Sequence, residues 1–313
     1  MKVLITGGAG FIGSHLAKHC LLHDHEVTII DNLITGNHRN IEPLISKPGC
    51  TFLEADIVSF DFNTLDSFDV VFHLASPASP VQYSKYPLQT LRTNAEGTHR
   101  VLEFMRRTNS PRFLLASTSE VYGDPKEHPQ KEEYWGNVNS FGPRSCYDEA
   151  KRYAEAITYT YGTTYGIDVR VARIFNTYGP AMEPDDGRVV SNFITQCISG
   201  KDITVFGNGS QTRSLCYVSD MVHGLYELAT RDGLGMEVIN LGNPNEKTVL
   251  EIAKIIKTIT GSDSEIVYKP IGKDDPQRRR PDITKARLLL GWEPAVELEA
   301  GLVYTVEYFR NLL

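Results

Sequence analysis

A tyrosine and a lysine set four positions apart have the residue types and the spacing of a proton-transfer pair. Tyr147 and Lys151 fall in a strongly helical stretch, which puts their Cβ atoms on one helix face about 6 Å apart. A free tyrosine titrates near pH ~10, and an adjacent ammonium favours its phenolate form. A phenolate held in this way can take a proton from a hydroxyl group. Because the same spacing is common on helix surfaces, a surface pair is the alternative interpretation.

Three polar residues follow an apolar run at a place where a sheet would open. The run 113–117 leads into Thr118, Ser119 and Glu120. In an open α/β sheet the ligand crevice lies at the carboxyl ends of the strands. A helix-capping turn is the alternative role. Since Tyr147 must face a partner in the crevice, a site at 118–120 is the favoured interpretation.

The amino terminus has the pattern of a nucleotide-binding turn. A β-branched run at 2–6 leads into glycines at 7, 10 and 13 and then into a helical stretch. This spacing permits a tight strand-to-helix turn and the close approach of a pyrophosphate to the helix N-terminus. Asp31 closes the second strand, eighteen positions after Gly13, where it can accept from both hydroxyls of an adenosine ribose. Because a carboxylate there repels a 2′-phosphate, the sequence predicts NAD rather than NADP.

An oxidised nicotinamide would complete the chemistry of the Tyr147–Lys151 pair. Its positive ring and the ammonium would together favour the phenolate. Lowering the tyrosine pKa by roughly three units needs about 4 kcal/mol. The predicted reaction is removal of a sugar hydroxyl proton by Tyr147 while hydride leaves for the cofactor.

Strand-like and helical stretches alternate along the chain. Strands are expected at 2–6, 27–31, 51–56, 69–75, 112–118, 168–175 and 237–242. Helices are expected near 11–23, 84–108, 146–165, 189–200, 219–231, 248–261, 283–290 and 298–312. This alternation predicts an α/β fold, a Rossmann-type doubly wound parallel sheet with a smaller, discontinuous C-terminal substrate lobe. The predicted NAD-binding domain is 1–176 and 214–242, and the predicted substrate domain is 177–213 and 243–313.

Composition and charge exclude several other classes. The 313 residues are 41% hydrophobic, enough for a sizeable core, and the net charge of −7 gives no sign of a nucleic-acid surface. The five scattered cysteines lack a Cys-x-x-Cys pair, which favours a reducing compartment. A strand beginning at residue 2 leaves no room for a signal peptide, and no apolar run approaches the roughly 18 residues of a membrane span. We therefore expect a cytoplasmic protein with no nucleic-acid or membrane partner.

Several polar residues have a structural interpretation beside a functional one. Asp56 either accepts from the adenine amino group or caps a helix. His73 is interpreted as a hydrogen-bonded core histidine. The spacing of His15, His19 and His23 is typical of metal ligands, but no cysteine or carboxylate pair accompanies them. A solvated helix face is therefore predicted there, and no metal.

The run Arg278-Arg279-Arg280 concentrates positive charge in an acidic chain. A solvated surface is the default interpretation. The alternative is an anion site, because guanidinium groups bind carboxylate or phosphate bidentately. Prolines border the run on both sides, which favours positioned groups. Arg213 follows a glycine-containing turn and would meet a diphosphate, so both features predict an anionic substrate.

The motifs together resemble a known family over nearly the whole chain. The glycine turn, Asp31, Tyr147 and Lys151 are similar to the extended short-chain dehydrogenase/reductases that remodel nucleotide sugars. Within that superfamily the chain resembles the UDP-glucuronate decarboxylases, also called UDP-xylose synthases. The blocks that carry the resemblance are His73-Leu-Ala-Ser-Pro-Ala-Ser-Pro80, Ala116-Ser-Thr-Ser-Glu-Val-Tyr-Gly-Asp-Pro125, Gly142-Pro-Arg-Ser-Cys-Tyr-Asp-Glu-Ala-Lys-Arg152, Arg173-Ile-Phe-Asn-Thr-Tyr-Gly-Pro180, Asp186-Gly-Arg-Val-Val-Ser-Asn-Phe-Ile194, Gly209-Ser-Gln-Thr-Arg213 and Asp274-Asp-Pro-Gln-Arg-Arg-Arg-Pro-Asp282.

The resemblance implies decarboxylation of UDP-glucuronate with tightly bound NAD. Tyr147, assisted by Lys151, would remove the 4-hydroxyl proton while hydride passes from C4 to NAD⁺. The resulting 4-keto uronate is a β-keto acid and would lose CO₂, after which return of the hydride would give UDP-xylose. By position, Thr118 would hold the 4-hydroxyl or ketone, while Ser119 and Glu120 would act near C5.

Binding roles are implied in the same way. Arg279 aligns with the arginine that meets the substrate carboxylate. Asn176 and Arg213 would contact UDP. The implied cofactor set is Gly7, Gly10, Phe11, Ile12, Gly13, Asp31, Asn32, Thr35, Gly36, Asp56, Ile57, Leu74, Ser76, Thr93, Tyr147 and Lys151. The implied substrate set is Pro77, Tyr83, Arg92, Asn176, Arg188, Val190, Arg213 and Arg279.

Three positions depart from the family pattern and keep alternatives open. Ala181 and Glu183 stand where many relatives have arginine and histidine, and Arg92 stands where lysine is usual. Weaker cofactor retention would let part of the 4-keto pentose escape before reduction. The alternatives are an oxidative decarboxylase that releases UDP-4-keto-pentose with NADH, a nucleotide-sugar 4-epimerase or 4,6-dehydratase, and a non-catalytic NAD-binding protein.

A homodimer is also implied by the resemblance. It would form through the helices near 84–108 and 146–165. The apolar residues Leu91, Val101, Leu102 and Met105 would serve that face, but they are equally suited to the core.

Overall fold

Strands and helices alternate through most of the chain, as expected. The computed structural model describes residues 1–270 and 278–313. The strands are β1 (Lys2–Thr6), β2 (Glu26–Asp31), β3 (Cys50–Glu54), β4 (Val70–His73), β5 (Arg112–Thr118), β6 (Asp168–Ile174), β7 (Thr177–Tyr178), β8 (Ile203–Phe206), β9 (Thr212–Ser214), β10 (Cys216–Tyr217), β11 (Val238–Leu241), β12 (Glu246–Thr248) and β13 (Ile266–Lys269). The helices are α1 (Phe11–Leu22), α2 (His38–Ile45), α3 (Pro80–Lys85), α4 (Pro87–Arg92), α5 (Thr98–Thr108), α6 (Ser145–Tyr165), α7 (Val189–Ile198), α8 (Val218–Thr230), α9 (Val249–Thr260), α10 (Thr284–Leu290) and α11 (Leu298–Leu312).

The seven strands expected from the sequence form one sheet. Their order is β11-β6-β5-β4-β1-β2-β3, and every neighbouring pair is parallel. The order reverses beside β1, which places a crevice at the carboxyl ends of β1 and β4. The predicted Rossmann-type doubly wound sheet is confirmed.

Apolar side chains cover both faces of this sheet. Alternate residues of each strand point to opposite faces, so Val3 and Ile5 of β1 pack with α1 and α8, while Leu4 packs with α5. A third apolar cluster joins α7, α9 and α11 around Phe193 and Phe309. The domain boundaries drawn from the sequence stay a prediction.

One long helix expected near 84–108 is divided into several parts. Pro87 begins α4, and α3 ends at Lys85, because proline has no N–H to continue a preceding helix. A π-helical turn at Thr93–Gly97 then separates α4 from α5. The short helix α2 was not expected, since its polar start and internal Pro43 hide the periodicity. The block Asp274–Asp282 that helps to carry the family resemblance lies partly outside the described residues.

Most of the apolar residues considered for a dimer face belong to the core. Val101, Leu102 and Met105 are fully buried beneath α5, because they point toward the sheet. Leu91 is the exception, with 39% of its surface exposed. Within residues 1–270 and 278–313, no helix combines the length and apolarity that a membrane crossing requires.

Candidate active site

The glycine-containing turn between β1 and α1 forms a tight cradle. Gly7 adopts a φ of +75° and donates to the Ile30 carbonyl at 2.8 Å. A Cβ atom on Gly13 would lie 2.2 Å from the Gly7 carbonyl oxygen, so only glycine fits there. No side chain caps the N-terminus of α1, which begins at Phe11. Its free N–H groups suit a phosphate-bearing ligand.

Asp31 ends β2 as a buried carboxylate at the edge of the cavity. It accepts from the backbone N–H of Ala9 at 3.0 Å and of Leu33 at 2.9 Å. Burial raises its pKa, although the two hydrogen bonds act in the opposite direction. Gly36 approaches the carboxylate so closely that a Cβ there would lie 2.9 Å from Oδ1. Gly36 therefore contributes through its small size and does not itself line the cavity.

Asp56 supports the turn after β3. Its Oδ1 accepts from the Val58 N–H at 2.8 Å, and its Oδ2 accepts from the Asn32 amide at 3.2 Å. Both oxygens thus serve local contacts, and the residue does not line the cavity, whereas Ile57 does. These hydrogen bonds make Asp56 more similar to a helix-capping residue than to an adenine-binding one. The turn that it supports does not continue into a helix.

A cavity of about 430 Å³ opens at the carboxyl ends of the central strands. It extends from the glycine turn to segments 174–193 and 204–215, which carry the side chains opposite the sheet. The predicted site residues that line it are Gly7, Gly10, Phe11, Ile12, Gly13, Asp31, Asn32, Thr35, Ile57, Leu74, Ser76, Pro77, Tyr83, Thr93, Thr118, Ser119, Glu120, Tyr147, Lys151, Asn176, Arg188, Val190, Arg213 and Arg279. The fold therefore brings nearly the whole predicted set to one place.

Arg92 is the substrate candidate that lies outside the cavity wall. Its side chain is 61% exposed and forms an ion pair with Glu96 on the next helical turn. The α4 helix turns this face to solvent, because Thr90 and Asn94 occupy the buried face. The structure therefore does not bring Arg92 to the substrate candidates.

Tyr147 and Lys151 lie in the first turns of α6, and both are almost fully buried. The Lys151 Nζ donates to the Ala116 carbonyl of β5 at 2.8 Å and lies 6.0 Å from the Tyr147 ring centroid. The Tyr83 ring stacks on Tyr147 at 5.0 Å with an interplanar angle of 9°. Thr118 lies within hydrogen-bonding reach of the Tyr147 phenol. The predicted spacing on one helix face is thus built into a dry cleft, and a surface pair is excluded.

Burial dominates the pKa values of this pair in the protein alone. Burial raises the pKa of Tyr147 to about 12, although the hydrogen bond with Thr118 and the charge of Arg188 act to lower it. Burial also lowers the pKa of Lys151 to about 8. The reason is that the cleft disfavours both charged forms more than neighbouring groups favour them. The protein alone thus does not lower the Tyr147 pKa, and that part of the shift would have to come from a bound cation.

Residues 118–120 form a short turn at the end of β5. The Thr118 hydroxyl accepts from the Glu120 N–H at 3.2 Å and caps the 3₁₀ helix Ser119–Tyr122. Thr118 and Ser119 are nevertheless buried beside Tyr147 and line the cavity. Thr118 therefore caps the 3₁₀ helix and also lines the cavity. The two roles are compatible because the helix begins where β5 ends at the crevice.

Two arginines share the carboxylate of Glu120. Arg279 donates to Oε1 and Arg144 donates to Oε2. Arg279 also donates to the Gly123 carbonyl at 2.6 Å and approaches the Ser119 hydroxyl at 3.4 Å. Burial by itself would raise the Glu120 pKa, but the two guanidinium groups hold it below its usual value. This buried ion cluster faces the same cavity as Tyr147.

Arg144 and Asp148 are site residues that the sequence analysis did not single out. Arg144 lies three positions before Tyr147 and lines the cavity, and its guanidinium lies 5.9 Å from the Tyr83 ring centroid. Asp148 packs against it, with 3.7 Å between Arg144 Nε and Asp148 Oδ2. Burial, followed by the Glu120 charge, raises the Asp148 pKa to about 7. Arg144 belongs to the block Gly142–Arg152 that carries the family resemblance. Its position just before the start of α6 was the sequence signal that could have identified it.

His73 has its predicted core role, whereas His15 and His19 are partly buried and do not form the solvated helix face expected from the sequence. His73 is buried between the hydroxyls of Thr6 at 2.7 Å and Thr98 at 3.0 Å, which confirms the core interpretation. His15 contacts the Pro180 carbonyl at 2.9 Å. Across the described part of the chain, no group of histidine, cysteine, aspartate and glutamate has an arrangement that could hold a metal ion.

Two of the three positions that depart from the family pattern, Ala181 and Glu183, lie on the segment after β7. Ala181 has a φ of +68°. Glu183 forms an ion pair with Arg39 of α2 at 2.5 Å and approaches the Asn37 amide at 3.5 Å. Glu183 thus ties this segment to α2 across the cofactor half of the cavity, a contact that an acidic residue there makes possible.

Comparison with known proteins places this geometry in a family. The profile of the NAD dependent epimerase/dehydratase family matches residues 3–242. UDP-glucuronic acid decarboxylase 1 of Danio rerio is 53% identical over 312 residues, which is 100% of this chain and 73% of that protein. The chain belongs to this family, within its UDP-glucuronic acid decarboxylases.

One further relative agrees with that placement, and a solved structure shares the wider family. UDP-glucuronic acid decarboxylase 1 of Arabidopsis thaliana is 50% identical over 99% of this chain and 70% of its own length. Among solved structures, the UDP-glucuronic acid 4-epimerase of Bacillus cereus, in complex with UDP-glucuronic acid and NAD, is 30% identical. The structural alignment covers 100% of this chain and 100% of that chain, with a TM-score of 0.91. The family thus combines one scaffold with more than one reaction.

Proposed function

We propose that the protein is a UDP-glucuronate decarboxylase that forms UDP-xylose and CO₂ with tightly bound NAD. The observation that carries this proposal is the buried Arg279–Glu120 pair in the same cavity as Tyr147 and Lys151. A cation at that position suits a sugar acid, and Tyr147 suits oxidation of a sugar hydroxyl. The membership of the chain among the decarboxylases supports both the binding of a sugar acid and the oxidation of its hydroxyl.

The described residues fit NAD. The cradle at Gly7 and Gly13 excludes side chains and leaves the uncapped N-terminus of α1 for a pyrophosphate. The Asp31 carboxylate lines the cavity where it can accept from ribose hydroxyls and repel a 2′-phosphate. When bound, NAD⁺ would accept a hydride from C4 of the sugar and later return it. Its positive charge would also favour the Tyr147 phenolate.

Proton transfer at C4 is assigned to Tyr147. The Tyr147 oxygen would take the proton of the 4-hydroxyl, with Thr118 holding that hydroxyl through its own side chain. Lys151, anchored on the Ala116 carbonyl, would compensate the phenolate with its positive charge, which it still carries near pH 7 because burial lowers its pKa only to about 8. The almost complete burial of both residues keeps water from competing for the proton.

Loss of CO₂ follows from the chemistry of the oxidised sugar. A ketone at C4 lies β to the C5 carboxylate, so the C5–C6 bond can break with its electron pair delocalised into the ketone. Arg279 would position the carboxylate before it leaves as neutral CO₂. Ser119 and Glu120, which contact Arg279, would then guide protonation at C5. Asn176 and Arg213, which also line the cavity, would hold the UDP portion.

The direct test is turnover of UDP-glucuronate by the purified protein. CO₂ release, NADH absorbance and sugar products by NMR would be followed together. We expect equal amounts of CO₂ and UDP-xylose, and we expect Tyr147→Phe to lower the rate by about 10²–10⁴-fold. Tyr153→Phe is the matched control, because Tyr153 lies on the same helix with 48% of its surface exposed. Unchanged turnover in Tyr147→Phe would refute the catalytic assignment.

The same experiment separates two alternative reactions. NADH formed in step with CO₂ would indicate an oxidative decarboxylase that releases UDP-4-keto-pentose, wholly or in part. The Glu183–Arg39 ion pair ties the segment after β7 to α2, which supports retention of the cofactor. The weaker retention expected from the sequence stays a prediction. UDP-galacturonate without CO₂ would indicate a 4-epimerase, a reaction suggested by the similarity to the Bacillus cereus enzyme.

A homodimer and a cytoplasmic location remain part of the proposal. The exposed apolar residues Leu88 and Leu91 on α4, with Tyr159 on α6, give the two helices a surface suited to a second copy. The five cysteines are free thiols, as expected in a reducing compartment. Light scattering of the purified protein would test the dimer. We also propose two domains. Residues 1–176 and 214–242 would bind NAD, and residues 177–213 and 243–313 would bind the nucleotide sugar.

A further inference from the structure

The ion cluster at Glu120 holds two cations against one carboxylate. Arg144 donates to Oε2 and Arg279 donates to Oε1. The Arg144 side chain is 23% exposed and the Arg279 side chain is 3% exposed. Because the two arginines come from segments more than a hundred residues apart, the fold has brought both to Glu120.

Asp148 does not supply a second full negative charge to this cluster. Its Oδ2 lies 3.7 Å from Arg144 Nε, beyond a normal hydrogen bond, and its buried Oδ1 has no hydrogen-bond partner among the described residues. Burial raises its pKa to about 7, and the Glu120 charge adds to that effect. Near neutral pH a large fraction of Asp148 is therefore protonated. The cluster then has a surplus positive charge that faces the cavity.

An incoming sugar carboxylate changes the pairing of Arg279. That carboxylate can bind the Arg279 Nε atom, which has no hydrogen-bond partner among the described residues, or the Nη1 atom that donates to Glu120. In either case the positive charge of Arg279 is shared between two anions. A buried carboxylate that loses its only cation is strongly destabilised. Glu120 keeps a second cation in Arg144, so Arg279 can turn to the substrate without leaving Glu120 uncompensated.

We propose that Arg144 is a positioning residue that holds Glu120 so that Arg279 is free to bind the carboxylate of an acidic sugar. Arg144 thereby sets the preference for a sugar acid over a neutral sugar. The proposal rests on the proposed function, because the role of Arg279 at the substrate carboxylate comes from it. Arg144 acts through Glu120 and does not itself touch the substrate.

The backbone around Arg144 is well suited to this task. The Arg144 carbonyl accepts from the N–H groups of both Tyr147 and Asp148, each at 3.0 Å, and so begins α6. Its guanidinium also lies 5.9 Å from the centroid of the Tyr83 ring. Since Tyr83 stacks on Tyr147, Arg144 is fixed relative to the residue that takes the proton.

The experiment measures ligand affinity in NAD⁺-loaded protein that cannot turn over substrate. Tyr147→Phe, which keeps the stacked ring, is the reference background. Dissociation constants for UDP-glucuronate and UDP-glucose would be measured by calorimetry with Arg144→Gln, Arg144→Lys and Glu120→Gln added singly. Arg144→Gln would also be combined with Glu120→Gln. Arg152→Gln is the control, since Arg152 lies on the same helix and binds the Val121 and Trp135 carbonyls.

The proposal predicts a selective and conditional loss of affinity. Arg144→Gln should weaken UDP-glucuronate binding on the order of tenfold and change UDP-glucose binding by less than about twofold. Arg144→Lys, which keeps the charge but not the paired donors, should give a smaller loss. In the Glu120→Gln background, Arg144→Gln should cost less than about threefold. Arg152→Gln should change neither constant.

Several results would overturn the proposal. An equal loss for both sugars would make Arg144 a structural residue. A full tenfold loss in the Glu120→Gln background would mean that Arg144 binds the substrate directly. If Arg144→Gln does not fold, Arg144→Lys takes its place. Its loss of UDP-glucuronate affinity should then be smaller when Glu120→Gln is also present, and an equal loss in both backgrounds would overturn the proposal. Failure of the proposed function is recognised separately, because the reference protein would then show no preference for UDP-glucuronate and the unmodified protein no CO₂.

Discussion

Replacement of Lys151 by methionine should change the pH dependence of stability by an amount that the structure determines. The Lys151 pKa is lowered by burial to about 8 from an ordinary value of 10.5. At about 1.4 kcal/mol per pKa unit, this shift corresponds to about 3 kcal/mol. The buried ammonium therefore opposes folding below pH 8, a cost that the proposed role of Lys151 in the site would explain.

The direction of the effect follows from proton linkage. Between pH 8 and 10.5 the unfolded chain binds a proton at Lys151 that the folded protein does not. The stability of the unmodified protein should rise with pH in this range relative to Lys151→Met. From pH 7 to 9.5, the difference in unfolding free energy between the two proteins should change by about 2 kcal/mol in favour of lysine. The hydrogen bond lost to the Ala116 carbonyl adds the same cost at both pH values and cancels.

Urea unfolding of both proteins at the two pH values is the assay. Lys18→Met is the control, because Lys18 is exposed on α1, and its effect on stability should be the same at both pH values. An effect of Lys151→Met that does not change with pH would refute the reasoning. Turnover by Lys151→Met should fall by on the order of 10²-fold or more, a loss that is independent of the stability result.

Three further predictions concern the cofactor cleft and the surface of α1. Gly13→Ala places a methyl group 2.2 Å from the Gly7 carbonyl oxygen, so NAD⁺ affinity measured by fluorescence should fall at least about tenfold; normal affinity would contradict the cradle. Asp31→Asn removes the charge that repels a 2′-phosphate, so the ratio of NADP⁺ to NAD⁺ affinity by calorimetry should rise, and an unchanged ratio would refute its role. Burial and then the charge of His23 lower the pKa of His19 to about 4 from 6.5, so stability present above pH 6.5 is lost as pH falls toward 4. His19→Gln should flatten that dependence in urea unfolding, whereas an identical slope would contradict the assignment.

Local patterns were sufficient for the elements of the sheet and for the cofactor cradle. All seven strands of the sheet were placed within two residues of their observed ends, because each is a short apolar run between turn signals. The glycine turn and Asp31 could also be predicted, since their chemistry depends on neighbours that are close in sequence. The division of 84–108 was missed, although Pro87 was the signal that a single helix could not continue.

The pKa of Tyr147 shows what the local argument left out. The predicted lowering includes the charge of a bound nicotinamide, whereas burial in the protein alone raises the pKa to about 12. Spacing along a helix reports which side chains share a face, but it does not report how dry that face is. The same limit applies to Val101 and Met105, which periodicity could not assign to a free face or to the core.

The sequence by itself determined the parallel sheet, the preference for NAD and the Tyr147–Lys151 pair, because these depend on short-range order and on residue type. Only the tertiary structure decided that Arg144 and Arg279 meet on one carboxylate. Arg279 and Glu120 are 159 positions apart, and no periodicity connects residues at such a distance. Their meeting depends on how the segment after residue 277 packs against the end of β5. That packing places two guanidinium groups on the Glu120 carboxylate, the arrangement on which the proposed preference for an acidic sugar rests.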